Sequence, residues 1–289
     1  MKRILLTGCG GQIGAELFAS LASTGRVIAC DRRALDLTNR SAIVMKIREL
    51  RPDIIVNAAA YTAVDRAESE TAIAHAVNAE APATMAEEAA KFGALLVHYS
   101  TDYVFDGAKS VPYDEDDAPN PLNVYGRSKL AGEQAIRASG AAHLIFRTSW
   151  VYGVRGGNFL LTMLKLAQRA ELKIVNDQFG APTWSRDVAN ATAAVLGKWN
   201  DSGELSGIFH LCAGGSTTWF DYAAEIFALT LQGKPQPRLL PVSTRDYAAA
   251  ALRPRNSRLN CARVRKTFDV ELPHWNDSLR RCIDVIGAA

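Results

Sequence analysis

Tyr125 and Lys129 are the two residues best suited by type and spacing to act together, in Val124-Tyr125-Gly126-Arg127-Ser128-Lys129. On a helix, positions i and i+4 share one face about a turn apart. A phenol is a poor acid near neutrality, with a reference pKa of ~10. A neighbouring ammonium favours the phenolate and draws that value down. The pair is thus suited to protonate a carbonyl or to deprotonate an alcohol. A hydroxyl able to hold the same oxygen stands upstream, where the apolar run Leu95-Leu96-Val97 ends in Ser100-Thr101-Asp102. Thr101 can hydrogen-bond and orient the reacting oxygen there. Taken alone, a Tyr and a Lys at this spacing describe an ordinary surface helix. Their weight comes from what precedes them in the chain.

What precedes them is a strand, a glycine turn and a helix. Ile4-Leu5-Leu6 reads as a short buried strand, Gly8, Gly11 and Gly14 follow three apart, and a helical pattern begins at Ala15. This is the entry to a dinucleotide-binding βαβ unit. The first glycine permits the tight turn, the second lets backbone approach a pyrophosphate, and the third lets helix pack on strand. The helix start then offers N–H groups and the positive end of its dipole to the phosphates. Val27–Cys30 is the next strand and ends at Asp31, where an acidic residue commonly meets the ribose hydroxyls of NAD. Arg32 and Arg33 follow at once and suit the 2′-phosphate of NADP. Both NADPH and NADH are therefore expected cofactors. The protein would orient one of them, and the hydride chemistry would be the cofactor's own.

The remaining pattern is that of an α/β chain. Strands are expected at Ile54–Val56, Ala94–Tyr99 and Ala142–Arg147, and helices at Ala42–Leu50 (capped by Thr38 or Asn39), 78–93 and from Val124. Asp65, Arg66, Glu68 and Glu70 read as a polar loop, and 106–123 as a Gly/Pro/Asp-rich loop. Beyond about residue 155 come helices at 158–169, 188–199, 219–231 and 275–286, and strands at 172–175 and 207–211. The expected fold class is a Rossmann-type doubly wound parallel sheet with a smaller C-terminal α/β part. Residues 1–155 would form the nucleotide-binding domain, with later segments returning to it, and 156–289 would mainly bind substrate.

Composition agrees with one or two globular domains: 289 residues, 48% hydrophobic, 22% charged. A net charge of +3 is too weak to argue for nucleic acid or a membrane surface. Five cysteines without a Cys-x-x-Cys imply a reduced, cytoplasmic chain with neither a disulfide frame nor a zinc site. No signal peptide or membrane span is expected. Two features suggest a nucleotide-sugar ketone as substrate. Arg253, Arg255, Arg258, Arg263, Arg265 and Lys266 could meet a pyrophosphate, and Trp150, after the strand ending at Arg147, could pack on a sugar ring.

Six stretches give a closer resemblance: Gly11-Gln12-Ile13-Gly14, Asn57–Asp65, Ser100–Gly107, Tyr125–Lys129, Arg147–Tyr152 and Asp177–Thr183. In this order they resemble the dTDP-4-dehydrorhamnose reductase family, extended short-chain reductases that complete dTDP-L-rhamnose synthesis for O-antigen and related polysaccharide. The resemblance implies reduction of the C4 keto group of dTDP-4-dehydro-L-rhamnose. It implies a catalytic set of Thr101, Tyr125 and Lys129. Gly11, Gln12, Ile13, Asp31, Asp36, Leu37, Ala60, Tyr61 and Thr62 would hold the cofactor, and Asp102 and Trp150 the deoxysugar. Leu37 stands where the family often has an aromatic. Some members dimerise around Mg²⁺ held by glutamates, one of them just after Gly-Ala-Pro-Thr. Here Trp184-Ser185-Arg186-Asp187 follows, without Glu, and only Glu16 remains. A monomer or homodimer is expected; Mg²⁺ stays open as a cofactor, but a dimer bridged by it is not expected. A dehydratase would carry Glu after Thr101-Asp102, where this chain has Tyr103. The alternatives are a reductase forming dTDP-6-deoxy-L-talose and a non-catalytic NADP-binding regulatory protein.

Overall fold

The computed structural model describes residues 1–199 and 205–287. The first half alternates strand and helix: β1 (Lys2–Thr7), α1 (Gln12–Ser20), β2 (Gly25–Cys30), α2 (Arg40–Leu50), β3 (Ile54–Asn57), α3 (Val64–Ala67) and α4 (Thr71–His75). A π-helical turn at Ala76–Glu80 leads into α5 (Ala81–Phe92). There follow β4 (Leu95–Thr101), a 3₁₀ turn at Asp102–Val104, α6 (Val124–Ala138) and β5 (His143–Thr148). The second half is more broken: β6 (Val151–Tyr152), α7 (Phe159–Leu166), β7 (Glu171–Val175), β8 (Phe179–Gly180), β9 (Thr183–Trp184) and α8 (Ser185–Lys198). It ends with β10 (Gly207–His210), β11 (Thr217–Thr218), α9 (Trp219–Thr230), β12 (Arg238–Val242), α10 (Ala262–Phe268) and α11 (Trp275–Gly287).

Six strands form one parallel sheet in the order β10-β5-β4-β3-β1-β2. Read from its other edge the order is β2-β1-β3-β4-β5-β10, so the direction of winding reverses between β1 and β3. In open α/β sheets ligands bind outside the carboxyl ends of the strands at such a reversal. Because helices cover both faces, the strands are continuous apolar runs rather than alternating ones. Ile4, Leu5, Leu6, Ile55, Val56, Leu96 and Val97 are all fully buried. One core lies between the sheet and α1 and α8, and another between the sheet and α2 and α5. A third core joins α7, α9 and α11 around Tyr152, Trp184 and Tyr222, away from the sheet.

Most expected elements appear within a few residues of their sequence bounds. Asn39, not Thr38, caps α2 by accepting from the Ala42 N–H, and Thr218 caps α9. Besides the two-residue strands, four elements differ from the sequence expectation. The polar stretch after Val64 forms α3 and α4 because its carboxylates are used locally: Glu70 binds Arg66, and Glu68 accepts from the Val124 N–H at the start of α6. β12 and α10 form against distant partners, β12 pairing with β7 and α10 packing beside β10. Among the described residues no helix is long and apolar enough to cross a membrane.

Candidate active site

A cavity of about 1100 Å³ opens over the carboxyl ends of β1, β3 and β4. The glycine turn forms its floor. Gly8 has φ +74°, and a Cβ there would lie 2.5 Å from the Ala59 nitrogen, across the β1/β3 reversal. A Cβ on Gly14 would lie 2.1 Å from the Gly8 carbonyl oxygen, so only glycine lets α1 seat on the turn. Gly14 therefore works by packing and does not itself border the cavity. Gly8, Gly11, Gln12 and Ile13 do, and α1 begins at Gln12 with no side chain capping its first turn. This cradle suits a pyrophosphate.

The neighbouring wall carries the other residues expected to hold the cofactor. Asp31, Arg32, Asp36 and Leu37 border the cavity on one side, and Ala60, Tyr61 and Thr62 on the other. One oxygen of Asp31 accepts from the N–H groups of Arg33 and Ala34 at 3.0 and 2.9 Å. Arg32 and Arg33 stay exposed beside it. Asp36 accepts from both the N–H and the hydroxyl of Thr38, which holds its carboxyl below the usual range. The Tyr61 hydroxyl donates to Glu70.

Thr101, Tyr125 and Lys129 meet deeper in the same cavity. Thr101 is the last residue of β4, and Tyr125 and Lys129 lie on the first two turns of α6, which Asn123 caps through the Gly126 N–H. Thr101 donates to Asp102 Oδ1 at 2.9 Å and accepts from the Tyr103 N–H. Burial pushes Tyr125 up to about 12; a hydrogen bond with Thr101 pulls it down and the Asp102 charge pushes it further up. Burial raises Asp102 to about 6 against hydrogen bonds from Ser257 and Thr101. Lys129 is almost wholly buried, with Nζ 2.6 Å from the Tyr99 carbonyl and 3.1 Å from His98 Nε2. Burial lowers it to about 7, partly opposed by Glu133. In this arrangement the Lys129 nitrogen faces the sheet, and the phenol is governed by burial, Thr101 and Asp102.

The opposite wall is aromatic. Trp150 adopts φ +46° and stacks on Trp219 with ring centroids 3.5 Å apart. Gln178 accepts from the Trp219 indole N–H, and a Cβ on Gly180 would fall 2.4 Å from the Trp150 ring. The six basic residues of the C-terminal run lie elsewhere. Arg253 pairs with Asp65, Arg263 with Asp116 and Arg265 with Glu271, Arg258 donates to the Ser110 carbonyl, and none of the six borders the cavity. Neighbouring carboxylates and a carbonyl have taken up four of the charges that could have met a pyrophosphate; the basic residues on the cavity wall are Arg32, Arg33, Arg66 and Lys129. Sequence reading also passed over His98 and Trp219, because neither lies in a pattern that marks it. Only the stacking and the strand register bring them in.

A glycine-cradled nucleotide cleft at a sheet reversal, with a Tyr/Lys pair and a threonine on its wall, defines a nicotinamide-dependent oxidoreductase of the extended short-chain class. The model of the RmlD substrate binding domain matches residues 1–287. A dTDP-4-dehydrorhamnose reductase of Salmonella typhimurium is 46% identical over 97% of this chain and 96% of its own. The crystal structure of a dTDP-4-dehydrorhamnose reductase from Bacillus anthracis in complex with NADP superposes with a TM-score of 0.91 at 37% identity, covering 98% of this chain and 99% of that one. A UDP-glucose 4-epimerase of Thermus thermophilus with NAD shares the fold, with a TM-score of 0.82 at 20% identity over 99% of each chain. The chain belongs to the dTDP-4-dehydrorhamnose reductase family.

Proposed function

We propose that the protein reduces the C4 keto group of dTDP-4-dehydro-L-rhamnose to give dTDP-L-rhamnose, using NADPH or NADH. The observation that carries this reading is the meeting of Thr101, Tyr125 and Lys129 in one cavity with the glycine turn and Trp150. The nicotinamide supplies the hydride when bound. Gly8, Gly11, Gln12 and Ile13 hold the pyrophosphate, and Ala60, Tyr61 and Thr62 the middle of the cofactor. Arg32 and Arg33 favour the 2′-phosphate of NADPH, while the second oxygen of Asp31 leaves NADH usable. Thr101 holds the sugar O4, and Tyr125 delivers its phenolic proton to that oxygen as charge develops on it. Asp102 and Trp150 position the deoxysugar.

Turnover is expected to need no Mg²⁺. Arg186 Nε lies 2.9 Å from Glu16 Oε2, so the one glutamate retained from the family's metal set faces a guanidinium that would repel a cation. Activity after EDTA treatment equal to activity with added Mg²⁺ supports this, and loss of turnover in EDTA would refute it.

The test is oxidation of NADPH in the presence of enzymatically made dTDP-4-dehydro-L-rhamnose, with the product identified by NMR and NADH run in parallel. dTDP-L-rhamnose is the expected product. The talose epimer would keep the mechanism and change the sugar face. NADPH binding without oxidation would make the chain a binding protein.

A further inference from the structure

We infer that Asn57 and His98 are positioning residues that set the protonation state of Lys129. They do so through a hydrogen-bond row running across three strand ends, whose polarity is fixed by a backbone N–H. The row follows the sheet register: Thr7 of β1 lies opposite Asn57 of β3, which lies opposite His98 of β4. All three are buried, His98 and Asn57 completely. The Thr7 hydroxyl donates to Asn57 Oδ1 at 2.7 Å, and the Ala59 N–H donates to the same oxygen at 3.2 Å. A backbone N–H can only donate, so the Asn57 amide cannot be turned over without leaving the half-buried Ala59 N–H unpaired. Its Nδ2 must therefore donate to His98 Nδ1, 3.1 Å away. A neutral imidazole that accepts at Nδ1 carries its proton at Nε2. That proton points at Lys129 Nζ, 3.1 Å away, so the lysine has to accept it with an amine lone pair while donating to the Tyr99 carbonyl at 2.6 Å. An ammonium in this place would set N–H against N–H.

No other charge nearby removes this constraint. Glu133, one turn along α6, favours the ammonium, but both its oxygens are bound by Arg147 of β5, at 2.9 and 2.6 Å. The 3₁₀ turn brings Asp102 and Tyr103, α6 itself brings Tyr125, α3 brings Glu68, which caps Val124, and the π-helical turn brings the uncharged Asn78 against Ser128. Burial lowers Lys129 to about 7 and pushes His98 well below its ordinary value, in keeping with an uncharged pair.

The chemical consequence rests on the proposed reductase activity. A lysine kept as an amine at neutral pH stabilises a Tyr125 phenolate only once it gains a proton, so the row would make proton delivery depend on pH. The row itself is tested without turnover. In the cofactor-free wild-type enzyme, ¹⁵N NMR should show the Nε2–H tautomer of His98, and an Nδ1–H tautomer would overturn the proposal. A Lys129 ¹³Cε titration should move upward by about one pH unit or more in two variants. His98→Gln can turn an oxygen toward Nζ, and Asn57→Asp accepts from Nδ1 and frees Nε2 to accept from an ammonium. Rhamnose-forming kcat should then keep its alkaline limb to correspondingly higher pH. Folded variants in which the lysine titration stays put, or in which kcat falls evenly at every pH, would leave His98 with a packing role only and refute the inference. Absent turnover alongside a shifted lysine titration would count against the reductase reading and not against the row.

Discussion

The two walls of the cleft are built differently. The wall bearing Thr101, Tyr125 and Lys129 is a set of parallel strand ends, backed by the start of α6, whose register places Thr7, Asn57 and His98 in one row and Thr101 opposite Thr148. The wall bearing Trp150 is assembled from two-residue ladders, β6 with β9 and β8 with β11. Its indole is held in a left-handed backbone conformation by packing against Trp219 and Gly180. Backbone hydrogen bonds over-determine the first wall, whereas side-chain fit sustains the second. Substitutions in the first should therefore alter chemistry with little effect on stability, and substitutions in the second should alter sugar binding and stability together.

The largest expected effect tests the first wall. Tyr125→Phe removes the proton donor and keeps the ring against Tyr103. We expect kcat to fall by on the order of 10²–10⁴, with NADPH affinity and melting temperature nearly unchanged. Steady-state kinetics, cofactor titration and thermal melts check this, and a matching loss of NADPH affinity would break the separation between the walls. Gly180→Ala tests the second. The added methyl must displace the Trp150 indole or the backbone, which costs about 1–3 kcal/mol in a packed site. The melting temperature should drop, and KM for the sugar should rise more than kcat falls. An unaffected KM with normal stability would mean that the tryptophan stack is not what shapes the sugar site.

The same difference explains what could be read from the sequence. Gly8, Gly11 and Gly14 follow an apolar run, and Tyr125 and Lys129 sit one helical turn apart, so local spacing was enough to single them out. The parallel strands were legible because a strand buried on both faces is a continuous apolar word. His98 was hidden inside such a word, where its polarity looked incidental until the register set it beside Asn57. Trp219 had no local signal, since its partner Trp150 lies on another ladder. β12 needed β7 to exist at all, which is why its Pro-containing sequence did not read as a strand. The basic run near the C-terminus shows the opposite failure: composition marked it, and most of the groups that neutralise it, Asp65 of α3, Asp116 and the Ser110 carbonyl, lie far from it in sequence.

A smaller effect probes the outer face of the sheet half. Glu88 on α5 is held down to about 2 by Arg48 of α2, with help from Lys91. Its folded value lies below its ordinary 4.5, so the contribution is full above that pH and is lost as pH falls toward about 2. Because Arg48 and Lys91 are more than half exposed, roughly 1 kcal/mol is expected at neutral pH. Denaturant melts should show Glu88→Gln less stable than wild type at neutral pH and equal to it near pH 2. A gap that persists at the acid end would assign the effect to packing instead.

The smallest effect concerns the tie between the walls. Asp65 of α3 accepts from the Ala251 N–H at 3.0 Å and pairs with Arg253 at 2.7 Å, fastening the 251–253 segment to the nucleotide half. Asp65 is about half exposed, with 47% of its side chain accessible, so the ion pair itself should couple by roughly 0.2–1 kcal/mol in a double-mutant cycle of Asp65→Asn and Arg253→Met. Arg253 also hydrogen-bonds Tyr103, whose ring meets Tyr125 edge-on at 5.9 Å. Arg253→Met should consequently lower kcat a few-fold while Asp65→Asn changes it less, a split that kinetics at saturating sugar would resolve. If the cycle instead gave a coupling of several kcal/mol, the two walls would be energetically one piece, and the contrast between backbone-fixed chemistry and side-chain-fixed binding would fail.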